Sequence, residues 1–172
     1  IEIAHLKAEG RQHWGKTVQA LALIDEATDS GVDIGFDVYP YTAFSTYSDL
    51  MFPAWALADG ADAFGARVND PATHARLAQE MRRIFPQQAG AGPDSIQIRE
   101  CASQPALRGR TLSDYLKDRG RAATIDEGVE ALIELQRQGG FIGIFHAMDE
   151  ADVRRVMRHP LAMFDTDGDL VE

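Results

Sequence analysis

The chain has 172 residues, 45% of them hydrophobic, which supplies an ordinary core for one domain or for part of a larger one. Its 27 acidic against 17 basic residues give a formal charge of −10, which excludes the basic footprint of a nucleic-acid binder. The single cysteine, Cys101, excludes an internal disulfide and a thiolate metal cluster and agrees with a cytoplasmic setting, and no apolar run is long enough for a membrane span.

Ile1-Glu2-Ile3-Ala4-His5 alternates as a strand from the first residue, with no initiator Met and no signal-peptide pattern, so the sequence reads as beginning inside a fold. This strand, 1–6, runs out into His5 and Lys7 on one side. Residues 15–30 read as an amphipathic helix with Val18, Leu21, Leu23, Ile24 and Ala27 inward, ended by Ser30-Gly31. Val32–Tyr41 is a second strand, whose end carries Asp37, Tyr39 and a Tyr-Pro-Tyr turn that Pro40 breaks. From 42 to 92 the pattern changes to a long, loop-rich insertion with short helices, one of them over Pro71–Phe85 with Asp70 as cap and proline at its first position. Insertions of this length at strand ends often act as lids.

Ser95–Glu100 alternates as another short strand. Thr111 caps a helix over Leu112–Arg119, and Thr124-Ile125-Asp126-Glu127 is a capping box opening a helix through Gln138, closed by Gly139-Gly140. Phe141–Phe145 is a short apolar run, Met148–His159 has helical spacing, and Leu161–Phe164 is a further apolar run closed by Asp-Thr-Asp-Gly. With about a dozen residues between those runs, the spacing predicts a right-handed parallel crossover, which sets His146 beside Asp165 and Asp167.

The alternation of strand and helix predicts an α/β fold with a parallel sheet. Strands 1–6, 32–39, 141–146 and 161–166 are expected as neighbours or near neighbours, with His5, Asp37, His146 and Asp167 at one rim. So few strands cannot close an eight-stranded barrel, leaving either a small open sheet or a piece of a barrel. In parallel α/β proteins the carboxyl ends of strands are where ligands bind and chemistry is done.

Several separated motifs then point one way. Ala4-His5-Leu6-Lys7, Asp37-Val38-Tyr39-Pro40-Tyr41-Thr42-Ala43 with Ser45-Thr46 following, Met148-Asp149-Glu150-Ala151-Asp152-Val153-Arg154-Arg155, Arg158-His159-Pro160 and Thr166-Asp167-Gly168 resemble, in that order, the second half of the N-acyl-D-amino-acid deacylases, or D-aminoacylases, of the amidohydrolase superfamily. The resemblance implies that residues 1–172 form a single partial domain with a lid-like insertion over 42–92. It further implies strands five to eight of a metal-dependent (β/α)8, or TIM, barrel hydrolase. Zn²⁺ is the implied cofactor, with His5 at the strand-five ligand position and Asp167 as the strand-eight aspartate that touches metal and serves as general base and acid. The implied substrate is a small N-acyl-D-amino acid, with Lys7 pairing its carboxylate and Tyr39 orienting it. Some relatives carry a histidine two residues before the Asp of Asp-x-Tyr-Pro-Tyr, where this sequence has Gly35. The first half of the barrel, with its His-x-His pair and bridging ligand, is not in this sequence, so little activity is expected of the chain alone.

Such residues suit such chemistry on physical grounds as well. Hydrolysing an amide near neutral pH needs a polarised carbonyl and a hydroxide-like nucleophile, which Zn²⁺ with an open position supplies. A neighbouring carboxylate can take the water proton and return it to the leaving amine. Of Asp165, Asp167 and Asp169, the bend that Gly168 permits puts Asp167 at the rim. Taken singly, the same residues have plainer readings: His5 a hydrogen-bonded strand end, Asp167-Gly168 and Asp37 turn residues, His13 and His74 solvated surface, Cys101 a small buried hydrophobe. The second functional class is a catalytically inactive α/β module that binds a partner or small ligand, its exposed sheet edges inviting homo-oligomers. No glycine-rich phosphate loop follows any strand, which lowers nucleotide binding.

Overall fold

In the computed structural model, which describes residues 1–168, the elements in chain order are β1 (Glu2–Ile3), α1 (Thr17–Asp29), β2 (Gly35–Val38), β3 (Phe44–Tyr47), α2 (Ala54–Leu57), α3 (Gly60–Asn69), α4 (Pro71–Gln88), β4 (Ile96–Glu100), α5 (Leu112–Lys117), α6 (Ile125–Gln136), β5 (Ile142–Phe145), α7 (Glu150–Met157) and β6 (Ala162–Phe164). They fall into two units, one made of Ile1–Thr42 and the chain from Met148 onward, the other of Ala43–Ala147. Among the described residues no helix is long and apolar enough to cross a membrane.

The first unit is built on a parallel sheet in the order β1-β2-β6, with Ile3 opposite Phe36, Phe36 opposite Ala162 and Val38 opposite Phe164. The two-residue period along β2 sends Phe36 and Val38 to one face, where both are buried, and Gly35 and Asp37 to the other, where both are half-buried. Leu21 and Ile24 of α1 and Val156 of α7 pack on the Phe36 face, with Ile3, Leu6, Met157 and Leu161 around them. The inward stripe of α1 is narrower than its composition suggests: Leu21 and Ile24 are buried, whereas Val18 and Leu23 are 54% and 66% exposed. His159 follows α7 and pins it to α1, its Nε2 3.0 Å from Asp25 Oδ1 while its Nδ1 accepts the Leu161 N–H.

The second unit is built on an antiparallel sheet in the order β3-β5-β4, in which Phe145 stands opposite both Phe44 and Ile96. Leu77, Met81 and Phe85 of α4, Leu112 and Leu116 of α5, and Leu132 and Ile133 of α6 are buried with Ile96, Ile98 and Phe145. Helix caps follow the expected residues. Asp70 accepts the Thr73 N–H at 2.8 Å, and Thr111 and Asp114 form a reciprocal capping box. At α6 the box closes on one side only. Thr124 accepts the Glu127 N–H, while the Glu127 carboxylate turns 2.6 Å from Arg121 instead.

Two expectations about this region are corrected. Much of 42–92 is helical rather than loop-rich, with α2, α3 and α4 in succession. The run 141–146 does not join the parallel sheet: β5 is the centre of the antiparallel one, so strand, helix and strand at the end of the chain do not make a parallel crossover. A short apolar run, with Gly143 and Phe145 buried and Ile142 and Ile144 half-buried, reads the same whichever way its neighbours point, and connection length alone does not give the direction. The overlooked partner is β3, a four-residue strand with one buried side chain, Phe44, among Ser45, Thr46 and exposed Tyr47.

Candidate active-site rim

The first unit gathers its chemistry at the carboxyl ends of β1, β2 and β6. The chain after β1 bonds back to the end of β2, where the Leu6 N–H donates to Asp37 O at 2.8 Å and the His5 N–H donates to Asp37 Oδ1. On the other side of β2, the Asp165 N–H donates to Val38 O at 3.3 Å. His5, Lys7, Tyr39, Asp165 and Asp167 therefore follow adjacent parallel strands, and Asp37 is the last residue but one of β2. His146 does not share their sheet: it follows β5 in the second unit, and its N–H donates to Ser95 O at 2.8 Å.

Lys7 links several of these groups. Its Nζ lies 2.8 Å from His5 Nδ1 and 3.0 Å from His5 O, and 5.3 Å from the centroid of the Tyr39 ring. An ammonium has no acceptor, so Lys7 donates and His5 Nδ1 accepts. Burial draws Lys7 below its ordinary pKa, while the carboxylates of Glu9, Asp167, Asp165 and Asp37 pull the other way. Tyr39 is 3% exposed and stacks on Tyr41 with ring centroids 5.8 Å apart. Burial first, then the negative charges of Asp167, Glu9 and Asp165, push its phenol well above the ordinary value and keep it a donor. Its hydroxyl has no hydrogen-bond partner among the described residues, and the same is true of the buried Oδ1 of Asp165.

His5 and Asp167 share an uncommon backbone. Their φ angles are 41° and 44°, left-handed values that cost a side-chain-bearing residue on the order of 1 kcal/mol and cluster at functional sites. Gly168, expected to provide the bend after Asp167, lacks a positive φ, and it is Asp167 itself that takes the left-handed backbone. Asp167 is exposed and Asp165 half-buried, while Asp169 lies outside the described residues.

One residue that sequence reading passed over supports this rim. Asp152 of α7 is 2% exposed and accepts from the Gly15 N–H at 2.6 Å, from the Thr17 hydroxyl and from Arg155. It thereby anchors the start of α1, and with it the end of the loop that carries His5 and Lys7. The signal was an aspartate four residues before Val156, on the inward stripe of an amphipathic helix. His74, read as solvated surface, is part-buried in the second unit, 2.8 Å from Glu130. Cys101 is buried, as expected.

Comparison with known proteins matches the chain to the D-aminoacylases, a subset of the amidohydrolases, which are hydrolytic enzymes. In particular, it is 26% identical over 166 residues to the N-acyl-D-glutamate deacylase of Alcaligenes xylosoxydans xylosoxydans, covering 96% of this chain and 25% of the relative. A solved structure of N-acyl-D-glutamate deacylase from Bordetella bronchiseptica, with zinc and a phosphonate mimic of the tetrahedral intermediate, matches in fold with a TM-score of 0.63 at 24% identity, over 97% of this chain and 26% of that one. A D-aminoacylase structure with a binuclear metal centre matches with a TM-score of 0.59 at 26% identity, over 95% of this chain and 25% of that one. The chain thus spans about a quarter of the length of the relatives it matches. No protein-family model matches it.

The donor set of this chain does not by itself fit a metal ion. Among the described residues no three His, Cys, Asp or Glu side chains converge as ligands. His5 Nδ1 is engaged by Lys7, and Asp37 Oδ1 by the His5 N–H. His5 and Asp167 would leave a zinc site short of the three or four protein ligands it takes.

Proposed function

We propose that this chain is part of a metal-dependent hydrolase that cleaves the amide bond of N-acyl-D-amino acids, contributing three neighbouring parallel strands, β1, β2 and β6, to its (β/α)8 barrel rather than the four expected from the sequence. The observation that carries the reading is the rim itself: one lysine, one buried phenol and two aspartates at adjacent parallel strand ends, in a chain whose relatives are deacylases. Lys7 is the group for the substrate carboxylate, with the ring of Tyr39 beneath it and the Tyr39 hydroxyl free to donate. Asp167, exposed at the rim, is the general base and then acid, taking a proton from the attacking water and returning it to the leaving nitrogen. His5 and Asp167 are the two metal ligands this chain offers, and the rest of the metal centre belongs to parts of the longer enzyme.

The reading makes a direct demand on the isolated chain. With its ligand set incomplete, the purified 172 residues with added Zn²⁺ are expected to turn over N-acyl-D-amino acids far more slowly than the roughly 1–10³ s⁻¹ of ordinary enzymes. A steady-state assay of ammonium-bearing product checks this, and turnover inside that range would overturn the view that most of the metal centre lies elsewhere.

A further inference from the structure

Asp165 has no role in the reading above, yet it is placed to have one. Its Oδ1 is buried without a hydrogen-bond partner among the described residues, and a buried acceptor left unmade is costly enough that native folds rarely keep one. Its backbone N–H bonds to Val38 O, the residue before Tyr39, so the carboxylate stands at the strand end next to the tyrosine. Tyr39 is 3% exposed, and its hydroxyl is likewise buried and unpartnered. Lys7 lies over the Tyr39 ring. The Lys7 ammonium, the Tyr39 hydroxyl and the Asp165 carboxylate thus follow adjacent strand ends, the last two each with a buried oxygen that lacks a partner among the described residues.

We infer that Asp165 is a specificity-determining residue that accepts the amide N–H of an α-acylamino acid whose carboxylate is held by Lys7 and the Tyr39 hydroxyl. The inference rests on the deacylase reading and adds to it the group that distinguishes an amide from an ester. In an α-acylamino acid the carboxylate and the N–H sit on one carbon, so donors for the first and an acceptor for the second must be neighbours, as they are here. An ester of the same shape presents an oxygen lone pair where the amide presents its hydrogen. Against a buried carboxylate that exchange replaces a hydrogen bond with repulsion. The carboxylates of Asp165 and Asp167 both act on Tyr39 and on Lys7, which agrees with their closeness.

The test is a titration of the 172-residue chain, followed by its amide NMR spectrum, with N-acetyl-D-alanine and with O-acetyl-D-lactate, the ester of the same size. The wild-type chain should bind the amide about tenfold to a hundredfold more tightly, the range for a hydrogen bond to a charged group. In Asp165→Ala, whose fold the same spectrum checks, the ratio should fall to near one. Equal affinities in the wild type, or a ratio unchanged in Asp165→Ala, overturn the inference. In either case weaker binding of both ligands by Lys7→Met leaves the deacylase reading standing. Binding of neither ligand, or binding indifferent to Lys7→Met, overturns both. The wild-type comparison decides the matter even if the alanine variant fails to fold.

Discussion

Replacing Asp167 by asparagine is expected to lower kcat of the proposed deacylase, assayed at full length, by the ~10²–10⁴-fold typical of a lost general acid–base, with the fold intact. The backbone supports this choice of substitution. Asp167 holds a φ of 44°, and asparagine is among the few side-chain-bearing residues that tolerate the left-handed region, so the amide takes the same backbone. What it cannot do is take a proton from water. Asp165→Asn should act differently, since that residue sits half-buried and is assigned to substrate binding, so its effect belongs in KM. A steady-state comparison of the two variants separates the roles. Near-normal kcat in Asp167→Asn with kcat lost in Asp165→Asn would exchange the two aspartates.

Asp152→Ala is expected to destabilise the first unit by about 3 kcal/mol, the cost of leaving buried partners unmade. The Gly15 N–H and the Thr17 hydroxyl, in a residue only 2% exposed, both lose their acceptor. Arg155 contributes less, because its side chain is 38% exposed and water can solvate it once the carboxylate is gone. Urea denaturation followed by circular dichroism should show the midpoint falling by roughly 1–2 M for a slope typical of a chain this size. Asp152→Asn, which keeps an acceptor oxygen, should lose less. An unchanged midpoint in the alanine variant would mean that Asp152 does not hold α1 in place.

The sequence made the rim more legible than the sheet that does not carry it. Ile1–Ile3 and Phe36–Val38 alternate with polar residues, and that alternation marked strands whose ends carry His5, Lys7, Asp37 and Tyr39, as the structure has them. Caps were readable for the same local reason: Asp70, Thr111 and Thr124 each accept the N–H three residues on. Pairing was not readable where it depended on distant partners. Nothing within 141–145 says that Phe145 faces Phe44 and Ile96 in antiparallel ladders. The Asp152 anchor joins residues 137 and 135 positions apart, beyond any local pattern. Propensity points to Gly168 for a special backbone at this strand end and does not see that Asp167 itself adopts the left-handed one.

The claim on which the account depends is that the carboxyl ends of β1, β2 and β6 bind an acylated amino acid through Lys7. Its most direct measurement is the footprint of N-acetyl-D-alanine on the amide spectrum of the isotope-labelled chain, taken with the wild type and with Lys7→Met, which keeps the apolar stem and removes the charge. The account predicts shifts gathered at residues 5–9, 37–39 and 165–167, and their loss in Lys7→Met. Shifts gathered instead on residues of the second unit, or a footprint at the rim that Lys7→Met leaves unchanged, would contradict it.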